Sequence, residues 1–193
     1  MIEARPVTRE ALSHIAHNLR DRDRQEIFAL RWSDDVDQFV DDVFGYMGEL
    51  WRIWVLDGEP IAVNGVLPVR PGVVIAGAFG TPKWRAAIKP MTRWSRDYLI
   101  PVLKLSKYHR GEAYVLATNT DSRRWIEALG GEVETLLHGY GKHREDFLLY
   151  AWDLTREETE NVYRRGRRRR QCRRVDVAIP DCPTAAAAGR RSQ

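Results

Sequence analysis

Eight of the eleven residues from Arg164 to Arg174 are arginine, and their chemistry is the plainest in the chain. Arg164, Arg165, Arg167, Arg168, Arg169, Arg170, Arg173 and Arg174 stay charged at any physiological pH. Each offers a planar fork that grips phosphate through two N–H groups. A run this dense can hold DNA or RNA by releasing counterions from the phosphate backbone, without reading base sequence. The basic character is confined to this end. Residues 156–193 carry 11 arginines against 5 acidic residues, a net +6, whereas residues 1–155 carry 20 basic and 22 acidic side chains, a net −2. The segment PDCPTAAAAGRRSQ that follows offers almost nothing to bury. Residues 155–193 are therefore expected to form a disordered, arginine-rich tail on a domain of residues 1–154.

Other groups that could do chemistry have simpler explanations. His14 and His17 sit three residues apart in a helical pattern, a spacing metals use, but no third ligand accompanies them. They read as polar flanks of the apolar stripe Leu12, Ile15 and Leu19. Cys172 and Cys182 match neither a metal knuckle nor a disulfide-stapled core, so no metal is expected. Trp51, Trp54, Trp94, Trp125 and Trp152 fall in or beside regular elements and are expected in the core. Trp84 lies outside them, where an aromatic could line a cleft. Glu49 and Glu59 flank a hairpin as solvated strand ends, and no general base is assigned to either.

The elements that must position these residues follow from periodicity. A first strand is expected over 2–7. Three helices follow: one capped by Thr8, one in DRDRQEIFALRW from residue 21, and one from about Asp34. The period then becomes two. LWRIWVLDGEPIAVNGVLPV reads as a hairpin about Asp57-Gly58, and a further strand covers Val73–Phe79. A long amphipathic helix spans about Pro90–Lys107. A strand over 112–117, a short helix over 121–129 stopped by Gly130-Gly131, and strands over 132–138 and 146–154 complete the order. Mixed order of this kind implies an α/β domain. With 44% hydrophobic residues and seven tryptophans, 193 residues suffice for one core. No stretch approaches the roughly 20 apolar residues of a membrane helix, and MIEARPVTRE lacks the apolar core of a signal peptide, so a soluble protein inside a cell is expected.

Within that order, Ala117-Thr118-Asn119 followed by Ser122, Trp125, Ala128, Leu129, Gly130 and Gly131 resembles the GNAT acyl-CoA N-acyltransferases. There an asparagine after the fifth strand opens a short helix ending in glycine about eleven residues on. The resemblance covers roughly residues 2–154 and implies a GNAT-like mixed central sheet flanked by helices. The chain particularly resembles the GNAT-like proteins of short-tailed phages that include the internal virion protein A family, in which a pair like Trp84-Arg85 precedes a basic helix. It implies that acetyl-CoA or another acyl-CoA would meet Ala78, Phe79 and Gly80 through backbone groups, Trp84, Arg85 and Lys89 in the following loop, and Asn119.

This sequence departs from the family at two places. The phosphate loop reads Arg85-Ala86-Ala87-Ile88-Lys89-Pro90, so isoleucine and proline stand where the family has small residues. Isoleucine resists a tight turn with positive φ, and proline deletes an amide that would face phosphate. Ile126 stands where many members keep a tyrosine to protonate the leaving thiolate. Arg85 and Lys89 remain as phosphate ligands by charge alone, and Tyr140 or a water remains as a proton source. Catalytic residues are left unassigned. Three functions stay open: a phage protein of weak or no acyl transfer acting in virion assembly or inside the virion, an active acyl-CoA-dependent N-acetyltransferase of a protein amine, and a nucleic-acid tether acting through the arginine run. The partners implied are phage virion or host proteins, in the host cytoplasm or the virion.

Overall fold

The computed structural model describes residues 1–155. The arginine run and, apart from Thr155, the expected tail lie outside the described residues. Seven strands form one mixed sheet: β1 (Ile2–Arg5), β2 (Trp51–Leu56), β3 (Glu59–Arg70), β4 (Val73–Gly80), β5 (Arg110–Leu116), β6 (Glu132–Leu137) and β7 (Phe147–Asp153), in the order β1-β2-β3-β4-β5-β7-β6. Every neighbouring pair is antiparallel except β4 and β5.

One face carries α1 (Arg9–His17), α2 (Asp21–Ala29) and α3 (Val36–Phe44). Leu12, Ile15, Phe28, Phe39 and Val40 from these helices bury against Ile53, Val63 and Phe79. Thr8 caps α1 through the Ala11 N–H at 3.2 Å, and Asp35 caps α3 through the N–H groups of Asp37 and Gln38. The second helix stops at Ala29, short of the expected pattern, and Trp32 beyond it is fully exposed.

The other face carries α4 (Ile88–Trp94), a π-helical turn (Ser95–Leu99), α5 (Ile100–Lys104) and α6 (Thr120–Ala128). The long helix expected over Pro90–Lys107 is thus interrupted. Pro101 has no N–H for the Asp97 carbonyl and its ring would strike that carbonyl, so the ladder widens just before it. The Ile100 N–H reaches back to Ser95 O instead. Pro90 is the third residue of α4, where no intrahelical partner is needed. At the end of α6, Gly130 adopts φ +87°, its N–H meets Glu127 O at 3.0 Å, and the Gly131 N–H meets Ile126 O at 3.0 Å. These two bonds form the Schellman stop that the paired glycines predict.

The feature that shapes a site is the β4–β5 junction. These parallel strands pair only from Val73↔Arg110 to Ile75↔Glu112, while β4 runs on to Gly80 and β5 to Leu116. The sheet splits between their C-terminal halves.

Candidate functional site

Backbone groups of a strand point alternately to its two neighbours. The Thr81 N–H goes to Ile61 O on β3 at 2.9 Å, so Gly80, and Ala78 two residues earlier, present their N–H and C=O groups to the split. Those of Gly80 are occupied. The Arg20 N–H donates to Gly80 O at 3.0 Å, and the Gly80 N–H donates to Asp23 Oδ2 at 2.8 Å. On the facing strand the Leu116 N–H donates to Glu26 Oε2 at 2.9 Å, and Asn119 Nδ2 donates to the same oxygen at 2.9 Å. Asp23 and Glu26 lie three residues apart on one side of α2, which places one carboxylate at each diverging strand end. Helix α2 therefore bridges the mouth of the split.

The electrostatics follow from that placement. Asp23 is buried, which pushes its carboxyl above the usual range against the opposing pull of Arg20, whose Nε lies 2.7 Å away. Burial pushes Glu26 up to about 7, opposed by the Asn119 and Leu116 donors. Arg20 also lies 4.0 Å over the Trp84 ring and donates to Ser122 Oγ at 3.3 Å, so one guanidinium joins α2, the segment after β4, and α6.

Behind the split, between the sheet and α4–α6, lies a cavity of about 110 Å³. Its walls are mostly aliphatic, with Asn64 and Ser95 among its polar groups. The Trp54 Nε1–H donates to Asn64 Oδ1 at 2.7 Å and Asn64 Nδ2 donates to Ser95 Oγ at 3.1 Å, all three residues being buried.

No family model and no curated protein sequence matches the chain. Solved structures do match. An N-acetyltransferase from Staphylococcus aureus Mu50 superposes with a TM-score of 0.63 at 15% identity, over 80% of this chain and 99% of that one. The ribosomal-protein-S18-alanine N-acetyltransferase from Escherichia coli gives 0.58 at 17%, over 81% and 96%. A GNAT superfamily phosphinothricin acetyltransferase from Sinorhizobium meliloti, in complex with AcCoA, gives 0.62 at 14%, over 82% and 91%. The chain has the GNAT fold.

Within that fold the residues singled out from sequence take distinct positions. Ala78 lines the cavity, and Gly80 is engaged by α2 as described. Phe79 points to the opposite face, 5.4 Å from the Phe39 ring. Trp84, expected at a cleft, is sealed in the core at 1% exposure, edge-on to Trp125. Arg85 is exposed and lies 3.7 Å from Asp121, and Lys89 is exposed on the first turn of α4. Asn119 is buried, caps α6 through the Ser122 N–H at 3.4 Å and holds Glu26.

The phosphate-loop segment forms no glycine-type turn. It folds as a 3-10 helix over Pro82–Ala86 running into α4, and among the described residues only Asp57 and Arg144 are non-glycine residues with positive φ. Isoleucine at 88 is therefore unstrained. Ile126 is buried among Ala113, Val115, Leu148 and Tyr150. Tyr140 stacks on Tyr114 with ring centroids 5.7 Å apart. Glu59 pairs with Lys83 at 2.5 Å, and His17 faces Asp37 at 3.4 Å. Among the described residues no group of three His, Cys, Asp or Glu side chains is placed to hold a metal, and no helix is long and apolar enough to cross a membrane.

Sequence reasoning missed Asp23, Glu26, Asn64 and Ser95. The i, i+3 carboxylates of α2 are ordinary on a charged helix. Only the split sheet gives them a purpose.

Proposed function

We propose that this chain is a GNAT-fold protein that has lost acyl transfer and serves in the assembly of a phage particle or as one of its internal components, in contact with phage or host proteins. The observation that carries the loss is the bridge of α2 across the split. The Sinorhizobium meliloti neighbour is a complex with AcCoA, and the resemblance assigns the pantetheine arm to backbone groups of the fourth strand. Here both Gly80 groups are held by Arg20 and Asp23, and the Leu116 N–H by Glu26. Pro90 adds to this by removing an amide from the loop, and Ile126 by supplying no proton to a thiolate. The phage role is supported by the resemblance at Trp84-Arg85, and the pattern from Asn119 through Gly131 supports the fold. The arginine run from 164 to 174 fits a partner rich in phosphate, DNA or RNA.

One observation favours the second reading, an acyl-CoA-dependent N-acyltransferase of a protein amine. Glu26 titrates near 7 beside the split, where a general base works best. Calorimetric titration of the full chain with acetyl-CoA separates the two, in about 0.3 M salt so that arginine charges are screened. The expected result is no binding up to about 1 mM cofactor; a micromolar dissociation constant overturns the loss and supports the enzyme.

A further inference from the structure

Strand β7 reads Phe147-Leu148-Leu149-Tyr150-Ala151-Trp152 and is apolar on both of its faces. An antiparallel strand with one wet face alternates apolar and polar residues, whereas a continuous apolar run belongs to a strand covered on both sides. Leu148 and Tyr150 pack under α6 with Ala113, Val115 and Ile126. Leu149 and Ala151 point the other way, beside Tyr114 and Glu112 of β5, and Ile75 of β4 lies next to Glu112 on that same side. Ile75, Leu149 and Ala151 are half-buried, and none of them packs into a buried apolar cluster. Helices α1 and α3 lie over β2, β3 and the end of β4, and α2 touches only the far ends of β5 and β7, through Ala29 against Leu116 and Phe147. Among the described residues, no helix covers this part of the sheet.

The charges around the uncovered face complement each other across it. Arg70 stands on its β3 side with a side chain 55% exposed, and Glu132 and Glu134 stand on its β6 side, Glu134 being 46% exposed. The pairs Arg70↔Val73, Val73↔Arg110 and Arg110↔Asp153 put Arg70 level with Asp153, two residues along β7 from Ala151, the partner of Glu132. In the sheet order β3 and β6 lie equally far from β5, on opposite sides. A two-fold axis over β5 and parallel to the strands therefore brings Arg70 of each copy to the glutamates of the other. The same axis sets Ile75 against Ala151 in aligned, face-to-face sheets. Arg110 and Glu112, near the axis, neutralise each other within their own copy.

We infer that this face binds a second copy of the chain, sheet against sheet, with Ile75, Tyr114, Leu149 and Ala151 at the centre and Arg70–glutamate pairs at both sides. Four strands about 4.8 Å apart, with about six residues of about 3.4 Å each, give a footprint of roughly 400 Å² per copy. That is about half of a standard interface, so the dimer is a weak one, with a dissociation constant on the order of 100 µM. It needs neither α2 nor the open end of the split, and so stands apart from the loss of acyl transfer.

The test is sedimentation equilibrium of the full chain, freed of nucleic acid, from about 5 to 500 µM in about 0.15 M salt. A monomer–dimer equilibrium is expected. In NMR spectra over the same range, the methyl signals of Ile75, Leu149 and Ala151 should shift with concentration while those of Leu103 and Ile126, on the opposite face, stay still. Leu149→Lys should leave only monomer. Arg70→Gln, at an exposed side chain, should weaken the dimer about 3- to 10-fold, the worth of two exposed ion pairs, and keeps the proposal falsifiable if Leu149→Lys does not fold. A chain that is monomeric throughout overturns the proposal and leaves the face to another occupant. A dimer that persists in folded Leu149→Lys, or is as tight in Arg70→Gln as in the wild type, overturns it too.

Discussion

Replacing Glu26 by glutamine should abolish a pH dependence of stability that the fold imposes. Glu26 titrates near 7 in the folded chain against an ordinary 4.5, because burial outweighs the two donors it meets. A raised folded pKa means that the folded state binds the proton more tightly. The stabilisation is therefore complete below about pH 4.5 and is lost progressively as pH rises toward and through 7. A shift of this size corresponds to about 3 kcal/mol between those limits, at about 1.4 kcal/mol per pH unit. The substituted amide would keep an oxygen for the Leu116 and Asn119 donors and would not ionise. Glu26→Gln should match the wild type near pH 4, exceed it by less than about 1 kcal/mol at pH 5 and by about 2–3 kcal/mol at pH 8, allowing for partial relaxation. Asp23, also raised by burial, acts in the same direction and is present in both proteins; its charge is one of the causes that raise Glu26. Urea unfolding at pH 5, 6, 7 and 8, followed by tryptophan fluorescence, measures the difference. A gap between the two proteins that does not widen with pH, or a wild type more stable at pH 8, would refute the placement of Glu26.

Three further outcomes follow from the packing and the charges. Gly65→Ala should cost about 1–3 kcal/mol or more, because its Cβ would lie 2.5 Å from both Leu50 O and Trp51 Cδ2; Gly77→Ala, meeting the far edge of the same indole at 2.8 Å, should cost less by urea titration. Arg110→Met should destabilise toward the lower end of roughly 3–5 kcal/mol, since buried Glu112 keeps Arg70 as its remaining partner, and adding Glu112→Gln should restore most of the loss. Replacing the eight arginines of 164–174 by glutamine should flatten the salt dependence of duplex DNA binding, measured by anisotropy. Its log–log slope should fall by up to about 7 if each arginine meets a phosphate.

The order of elements along the chain was legible because its signals are local. Asp57-Gly58, the paired glycines after α6 and the cap at Thr8 each act over three or four residues. The π-helical turn was not anticipated, although Pro101 signals it, since an apolar stripe continues on both sides of the proline. Trp84 was misjudged for a different reason: a tryptophan in a loop segment looks available, but here the segment winds into a 3-10 helix and turns its ring under Arg20. The split was least legible of all. Nothing in β4 or β5 says that they part after Ile75 and Glu112, and so nothing in α2 says what its carboxylates meet.

That parting carries an obligation. Main-chain groups taken from water must be paired, and strands that diverge leave their facing groups without a ladder. A bound molecule could serve them, and so could a helix. Asp23 and Glu26 reach both strand ends because three residues along α2 span the gap, and each carboxylate accepts from a main-chain amide. A hydrogen bond to a charged group is worth about 1.5–3 kcal/mol, so displacing both would cost an incoming cofactor about 3–6 kcal/mol. That is roughly a 10²- to 10⁴-fold loss of affinity, enough to move a micromolar site into the millimolar range. Glu26 makes this barrier dependent on pH. Below about 7 it is protonated and a weaker acceptor, and above that it holds the Leu116 amide more firmly at a greater cost of burial. Any residual acyl-CoA binding should therefore be tighter at pH 6 than at pH 8, a trend opposite to that of an enzyme in which Glu26 must be ionised to accept a proton from an amine.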